Sequence, residues 1–358
     1  MLDDLPLLYH RLLPRFFEQP IAVESFATCS NCIMACGDPN QAQQWARRPY
    51  HPDRKCCTYQ PNLSNYLVGG LLASTDPLLE DGRSRIRARI RQRTGVSPLG
   101  VYVPRLYNLL YKHGVKDGFG QSKTLLCPYY RIADGACTIW KFRDAICSTW
   151  FCKPVSGTAG RDFWSAMRAY LLAAQNVLVQ YTMRRAGLTN IDELNRQFID
   201  PAQNEDYLSA EEIDGLPPAE SEYAARWADW DGDEESFFVQ CFSWVQELDR
   251  SQFDGIMGIE QPTLLAELGQ KRDLAHRIPE RLKRNDDLPF QKRDDDLYIV
   301  ILADSEVTID LPTVLIDSFD GSRTTSEIRQ RLQNEFDLEI EDELLATLFQ
   351  QHVLLEIA

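Results

Sequence analysis

Hydrophobic and polar positions divide the chain into three unlike stretches. In the first, 64–72 (SNYLVGGLL) reads as a helix, and 83–92 sets Ile86 and Ile90 among arginines, predicting an amphipathic helix with a solvated basic face. Residues 97–104, broken by proline and glycine, read as irregular. In the second stretch, Phe163, Trp164, Met167, Tyr170, Leu171, Ala174 and Val177 fall at helical spacing and predict one long helix over 161–186. The polar, acidic run 200–222 predicts loop, and helical periodicity returns over 236–248 and 263–282.

The third stretch changes period. LYIVIL at 297–302 suits a buried strand, and 306–311 alternates as a second. Helices are expected over 313–319, from a capping box at Thr324 and Glu327 through Ile328, Leu332 and Phe336, and over 341–355. The pattern predicts a mainly α protein in three parts: a cysteine-rich domain (1–156), a helical region (157–284), and a small α+β winged-helix-like domain (285–358).

Composition is ordinary for a globular chain, at 44% hydrophobic and 25% charged, and the net charge of -15 argues against a nucleic-acid partner. No apolar run reaches the ~20 residues of a membrane span. The opening MLDDLPLLYHRLLPRFF lacks a basic region and a continuous apolar stretch, so a cytoplasmic location is expected. Asp229, Asp231 and Asp233 resemble the start of a calcium loop, but Glu234 stands where that loop needs glycine; an acidic helix start explains them better. Neither a G-x-S-x-G motif, a Walker loop nor an HExxH pair occurs.

The cysteines change the picture most. Nine of the ten lie between Cys29 and Cys152: CSNCIMAC supplies Cys29, Cys32 and Cys36, and KCCTY supplies Cys56 and Cys57. A second group holds Cys127, Cys137, Cys147 and Cys152, whereas Cys241 stands apart as a buried bystander. In a reducing compartment so many thiols point to metal ligation, and four-sulfur sites select zinc or an iron–sulfur cluster, with 4Fe-4S a candidate. His51 is either a surface-loop residue or an additional ligand near Cys56.

The order Cys29/Cys32, Cys56-Cys57, Cys127-Pro128-Tyr129, Cys137-Thr138-Ile139-Trp140, Arg143, then Cys147 and Cys152 around Trp150 resembles the YkgJ-type cysteine-cluster family. That resemblance implies a zinc- or iron-chelating domain with the nine cysteines as ligand candidates. Asp144 departs from it, standing where a proline commonly follows the arginine, and Cys36 is extra. Flagellin lysine N-methylases resemble the same group, which implies S-adenosylmethionine-dependent methyl transfer. No glycine-rich nucleotide loop accompanies it, and Gly157 and Gly160 read as ordinary helix-entry glycines.

The strand pair, Asp320-Gly321, Thr324-Thr325 and the closing VLLEI resemble PqqD-like peptide-recognition domains. That likeness implies a peptide or protein substrate added as a strand along 297–302 and packed on helix 328–336. Together these readings favour a metalloprotein acting in peptide or protein modification. The alternatives are a non-catalytic, zinc-stabilised interaction module and a lysine N-methylase.

Overall fold

The computed structural model describes residues 5–18, 24, 32–35, 50–189, 194, 208–293, 296–302 and 307–357; Cys29 and Cys36 lie outside them. Helix makes up 55% and strand 10%, so the chain is mainly α. It divides into two compact units: Met1–Gln19, Tyr50–Trp150 and Arg168–Pro262 form the first, and Pro20–Pro49, Phe151–Met167 and Thr263–Ala358 the second.

The first unit contains α1 (Leu7–Leu12), β1 (Leu63–Ser64), α2 (Asn65–Ala73), α3 (Glu80–Gln92), β2 (Val96–Ser97), β3 (Gly100–Val101) and α4 (Arg105–Gly118). The hairpin β4 (Tyr130–Arg131) and β5 (Ala136–Cys137) follows, then α5 (Ala145–Thr149) and the long α6 (Gly157–Arg185), which enters from the second unit. Four more helices complete it: α7 (Ala210–Ile213), α8 (Glu220–Trp227), α9 (Glu234–Glu247) and α10 (Arg250–Met257).

Helix α2 is the hub. Its residues from Asn65 to Leu72 are all buried, as an all-apolar helix must be in a protein interior. Asn65 escapes an unpaired burial by donating to the Pro98 carbonyl at 2.9 Å and Thr182 Oγ1 at 3.0 Å. Two glycines let other elements come unusually close. A Cβ at Gly69 would lie 1.8 Å from the Phe238 carbonyl oxygen of α9, and one at Gly70 would lie 2.4 Å from the Phe142 ring. Helix α3 does the same at Gly82, where a Cβ would stand 2.4 Å from the Thr138 carbonyl oxygen. These approaches seat the backbone that carries Cys137, Arg143 and Asp144.

The basic helix is less solvated than its pattern suggests. Ile86 and Ile90 are buried as expected. Arg83, however, is buried too and binds Glu80 and the Asp76 carbonyl, Arg87 pairs with Glu235 at 3.2 Å, and Arg89 donates to the Thr94 carbonyl at 2.9 Å. Arg93 lies over the Tyr223 ring. Arg85 and Arg91 remain exposed. The charge run is largely consumed in holding α3 to its neighbours.

Two other expectations shift. Residues 97–104 contribute to a three-stranded sheet of order β1-β3-β2, with Val96 opposite Val101. The acidic run is partly helical: beyond 200–207, which lie outside the described residues, α7 opens with a capping box at Ser209 and Glu212.

The second unit holds most of α11 (Glu260–Ala275), then β6 (Leu282–Arg284), β7 (Gln291–Lys292), β8 (Leu297–Ile301), β9 (Thr308–Pro312), α12 (Thr313–Asp317), α13 (Thr325–Phe336), α14 (Asp342–Gln350) and β10 (Leu354–Glu356). Both expected strands are present and pair antiparallel, with Val300 opposite Ile309. The helix expected over 263–282 stops at Ala275, because Pro279 follows and Leu282 joins β6 against β10. Likewise 341–355 is helical only to Gln350 before turning into β10.

Val300, Leu311, Leu315, Ile316, Phe319, Ile328, Leu332, Leu345, Leu348 and Leu354 form one core. The capping box at Thr324 and Glu327 starts α13 as predicted. Its third expected core residue, Phe336, is instead about half exposed at 49%.

Residues 151–167 are clamped within this unit. Gln351, fully buried, donates to the Val155 carbonyl at 2.9 Å, and Phe151 packs on Trp164 at 4.3 Å. Glu24 accepts hydrogen bonds from the Val155 N–H at 2.7 Å and the Trp164 indole. Burial outweighs those two donors and pushes the Glu24 carboxyl up to about 7. The folded state therefore holds a proton that the unfolded chain has released. Glu24 stabilises most below its unfolded value near 4.5 and loses that contribution as pH rises to about 7. Chemical denaturation at pH 4.5, 6 and 8 is expected to show the second unit losing roughly 3 kcal/mol from this group. Glu24→Gln should flatten the profile; an unchanged slope contradicts the assignment.

A buried group of thiols

Four of the predicted ligands, Cys56, Cys57, Cys127 and Cys137, are linked by backbone hydrogen bonds in the first unit, which also contains Cys147. A run of turns carries Cys56 and Cys57: Lys55 adopts a left-handed φ of 51°, and the Cys57 N–H reaches the Arg54 carbonyl at 3.0 Å. The Cys57 carbonyl then accepts the Cys127 N–H at 2.8 Å, which locks this turn to the Cys127-Pro128 segment. The Tyr130 N–H closes that segment on the Cys127 carbonyl at 3.1 Å, with Pro128 at its second position where its fixed φ is favourable. Tyr130 pairs with Cys137 across β4 and β5, so the hairpin returns the third cysteine of the group toward Cys127. Thr138 fastens the far side, its hydroxyl and N–H both donating to the Tyr129 carbonyl at 2.8 and 2.9 Å.

Cys147 arrives on α5. Asp144 caps that helix, accepting the Cys147 N–H at 2.8 Å. The Arg143 guanidinium lies 3.3 Å from the centre of the Trp140 ring, a cation–π stack that fixes a buried cation beside the group.

The thiols act on one another. The hydrogen bond with Cys56, then burial, then the charges of Cys127 and Cys137 push the Cys57 thiol far up. Burial pushes Cys127 up to about 12, assisted by Cys137 and Asp144 and opposed by the N–H groups of Tyr129 and Tyr130. Burial also raises Cys137 and Cys147, and Cys147 feels Asp144, Cys127 and Cys137 in turn. Asp144 itself is pushed up to about 6 by burial, against its bond to the Cys147 N–H and the attraction of Arg143. Each shift has the same sense: burial disfavours the charged form, and the neighbouring thiols and carboxyl add to it at most of these groups.

The group is convergent but not closed into a coordination polyhedron. Among the described residues no three His, Cys, Asp or Glu side chains stand in metal-holding geometry. Cys32 and Cys152 belong to the second unit, and Cys29 and Cys36 lie outside the described residues. His51 serves its own turn: its Nδ1 accepts the Asp53 N–H at 3.2 Å. Cys241 is fully buried on α9 beside Thr182, as a bystander should be. Gly157 opens α6, so Gly160 sits inside the helix rather than ahead of it.

Cysteine spacing alone left out the surroundings. Asp144 lies three residues before Cys147, the offset of a helix cap, and that was the available signal. Tyr59 and Tyr107 also border the thiols, each sensitive to the charge of Cys147. The Tyr107 hydroxyl accepts the Gln60 N–H at 2.7 Å and donates to the Thr58 carbonyl at 2.9 Å, bracing the turn after Cys57. Comparison with models of known families, with curated proteins and with solved structures finds no match to this chain.

Proposed function

We propose that this chain is a metal-binding protein, holding an iron–sulfur cluster or zinc through its thiols, that acts in modification or maturation of a peptide or protein substrate. The observation that carries the reading is the group Cys56, Cys57, Cys127 and Cys137, joined by backbone pairing, with Cys147 in the same unit and burial pushing Cys127, Cys137 and Cys147 up. Inert core cysteines are normally dispersed among apolar neighbours. Buried thiols gathered on neighbouring backbone segments suit a bound cation. Closing the site requires side-chain rotation within the group. The bound ion supplies charge neutralisation and, for a cluster, electron transfer. Arg143 offsets part of the thiolate charge, and Tyr107 braces the turn that follows Cys57.

The substrate-docking part rests on the C-terminal unit, which we read as a PqqD-like winged helix. Strand β8 is central in the order β7-β8-β9, so an added strand has β9 as its five-residue edge rather than β8 itself. Phe336, exposed on α13, offers an apolar contact. No described helix is long and apolar enough to cross a membrane, and a cytoplasmic setting fits the abundance of thiols. Calorimetric titration of extended peptides onto the full chain tests docking. Binding weakened about tenfold by Phe336→Ser supports it, whereas no binding by any peptide contradicts the docking half and leaves the metal half standing.

A further inference from the structure

In the second unit, the central strand of the β7-β8-β9 sheet is apolar on both faces. Tyr298, Val300 and Leu302 belong to the core, with Leu311 and Ile309 beside them on β9. The alternate residues Leu297, Ile299 and Ile301 therefore face the other way, and none of the three belongs to that core. Ile301 is exposed. An antiparallel sheet with one wet face ordinarily carries polar residues there, whereas an apolar run such as LYIVI suits a strand covered on both sides. Thr308 and Asp310 stand opposite Ile301 and Ile299 on β9. On the other flank the Arg293 N–H, just past β7, bonds the Leu297 carbonyl at 3.0 Å. The Arg293 guanidinium pairs with Asp310 at 2.5 Å, and because β8 lies between their strands the pair crosses the outer face of the row.

We propose that this outer face pairs with the same face of a second copy of the chain, about a two-fold axis running along β8. Charge complementarity selects that occupant. The apolar row has a cationic flank beside β7, Arg293, and an anionic flank on β9, Asp310. A two-fold axis parallel to the strands lays β8 on its own copy and turns the β7 flank of one protomer over the β9 flank of the other. Arg293 then meets the partner's Asp310, and the match is made twice, as an isologous interface demands. The ion pair that lies across the row exchanges partners, and since both side chains are exposed the exchange costs little. Ile301, at the bare end of the row, is covered by the partner's Ile301.

Size sets the strength of the pairing. A five-residue strand spans about 17 Å and three strands about 10–14 Å, so the face is on the order of 200 Å². A stable dimer buries about 800 Å² per partner, so this one is transient and comes apart on dilution. The net charge of -15 opposes it at low ionic strength and is screened by salt. The pairing needs no metal, and it leaves the β9 edge free.

The test is analytical ultracentrifugation of the full chain, reduced and at about 0.15 M salt, from ~1 μM to ~1 mM. The native chain is expected to pass from monomer toward dimer as concentration rises. Ile301→Lys, at an exposed position that tolerates lysine, should weaken association at least about tenfold. Arg293→Asp and Asp310→Arg each set like charges against one another across the two-fold axis, and each variant alone should stay monomeric. An equimolar mixture of those two variants should associate again, because one carries both acidic flanks and the other both basic ones. Loss of fold in either variant would not be repaired by mixing. A native chain that is monomeric at the highest concentration overturns the proposal. A dimer unchanged in Ile301→Lys and in both charge variants uses another surface and overturns it too. Peptide binding that Ile301→Lys abolishes, in a native chain that stays monomeric, assigns the face to a peptide and likewise overturns self-pairing.

Discussion

Cys127→Ser protein is expected to carry at least about tenfold less metal than the native chain while keeping its helical content. Cys127 is the best-buried thiol of the group, at 8% exposed, and its backbone N–H bonds the Cys57 carbonyl. Serine keeps the backbone bond to the Cys57 carbonyl and the turn closed by Tyr130. What disappears is the soft donor, and a hydroxyl does not replace a thiolate on zinc or iron. Elemental analysis with far-ultraviolet circular dichroism separates the two effects. Full metal content in Cys127→Ser would remove that residue from the ligand set.

The largest effect on folding is expected at Gly69. A Cβ there falls 1.8 Å from the Phe238 carbonyl oxygen, 2.5 Å from its carbon and 3.0 Å from the Phe242 Cβ. The nearest obstacles are backbone atoms of α9, which cannot rotate aside as a side chain does. Gly69→Ala therefore forces α2 and α9 apart along the most buried helix of the first unit. A penalty above about 3 kcal/mol follows, beyond ordinary overpacking. At this chain length that corresponds to a fall in melting temperature of roughly 4 °C. Gly114 is the matched control: it lies within α4 with nothing inside 4 Å of its added Cβ. Gly114→Ala should be neutral or stabilising by up to about 1 kcal/mol. Equal melting temperatures for the two variants would show that the close helix contact is not structural.

Periodicity made the long elements legible. Residues 64–72, 83–92, 161–186 and 236–248 each lie on a helix of nearly the expected extent, because a continuous apolar face specifies its own period. The capping box at Thr324 worked because it is local. Elements that depend on distant partners did not announce themselves. Leu282 and Glu356 become strand residues only by facing each other, and the two-residue β2 and β3 are too short to alternate. Phe336 follows the apolar spacing of α13 yet stays half exposed, since the last turn of that helix extends past the core.

At the site, cysteine spacing identified the thiols but not how they are grouped. Cys56, Cys57, Cys127 and Cys137 meet through a hairpin and two backbone bonds that spacing cannot encode. Spacing also concealed the burial of Asp144, because the offset that marks a helix cap says nothing of its surroundings.

The central claim is that these thiols hold a metal. It is tested most directly by anaerobic purification of the full chain, with elemental analysis, acid-labile sulfide and a visible spectrum on the same sample. Stoichiometric iron with sulfide and absorption near 400 nm, roughly, identifies a cluster; stoichiometric zinc without sulfide identifies a zinc site. A protein that contains neither, takes up neither on reconstitution, and keeps its native fold would contradict the account.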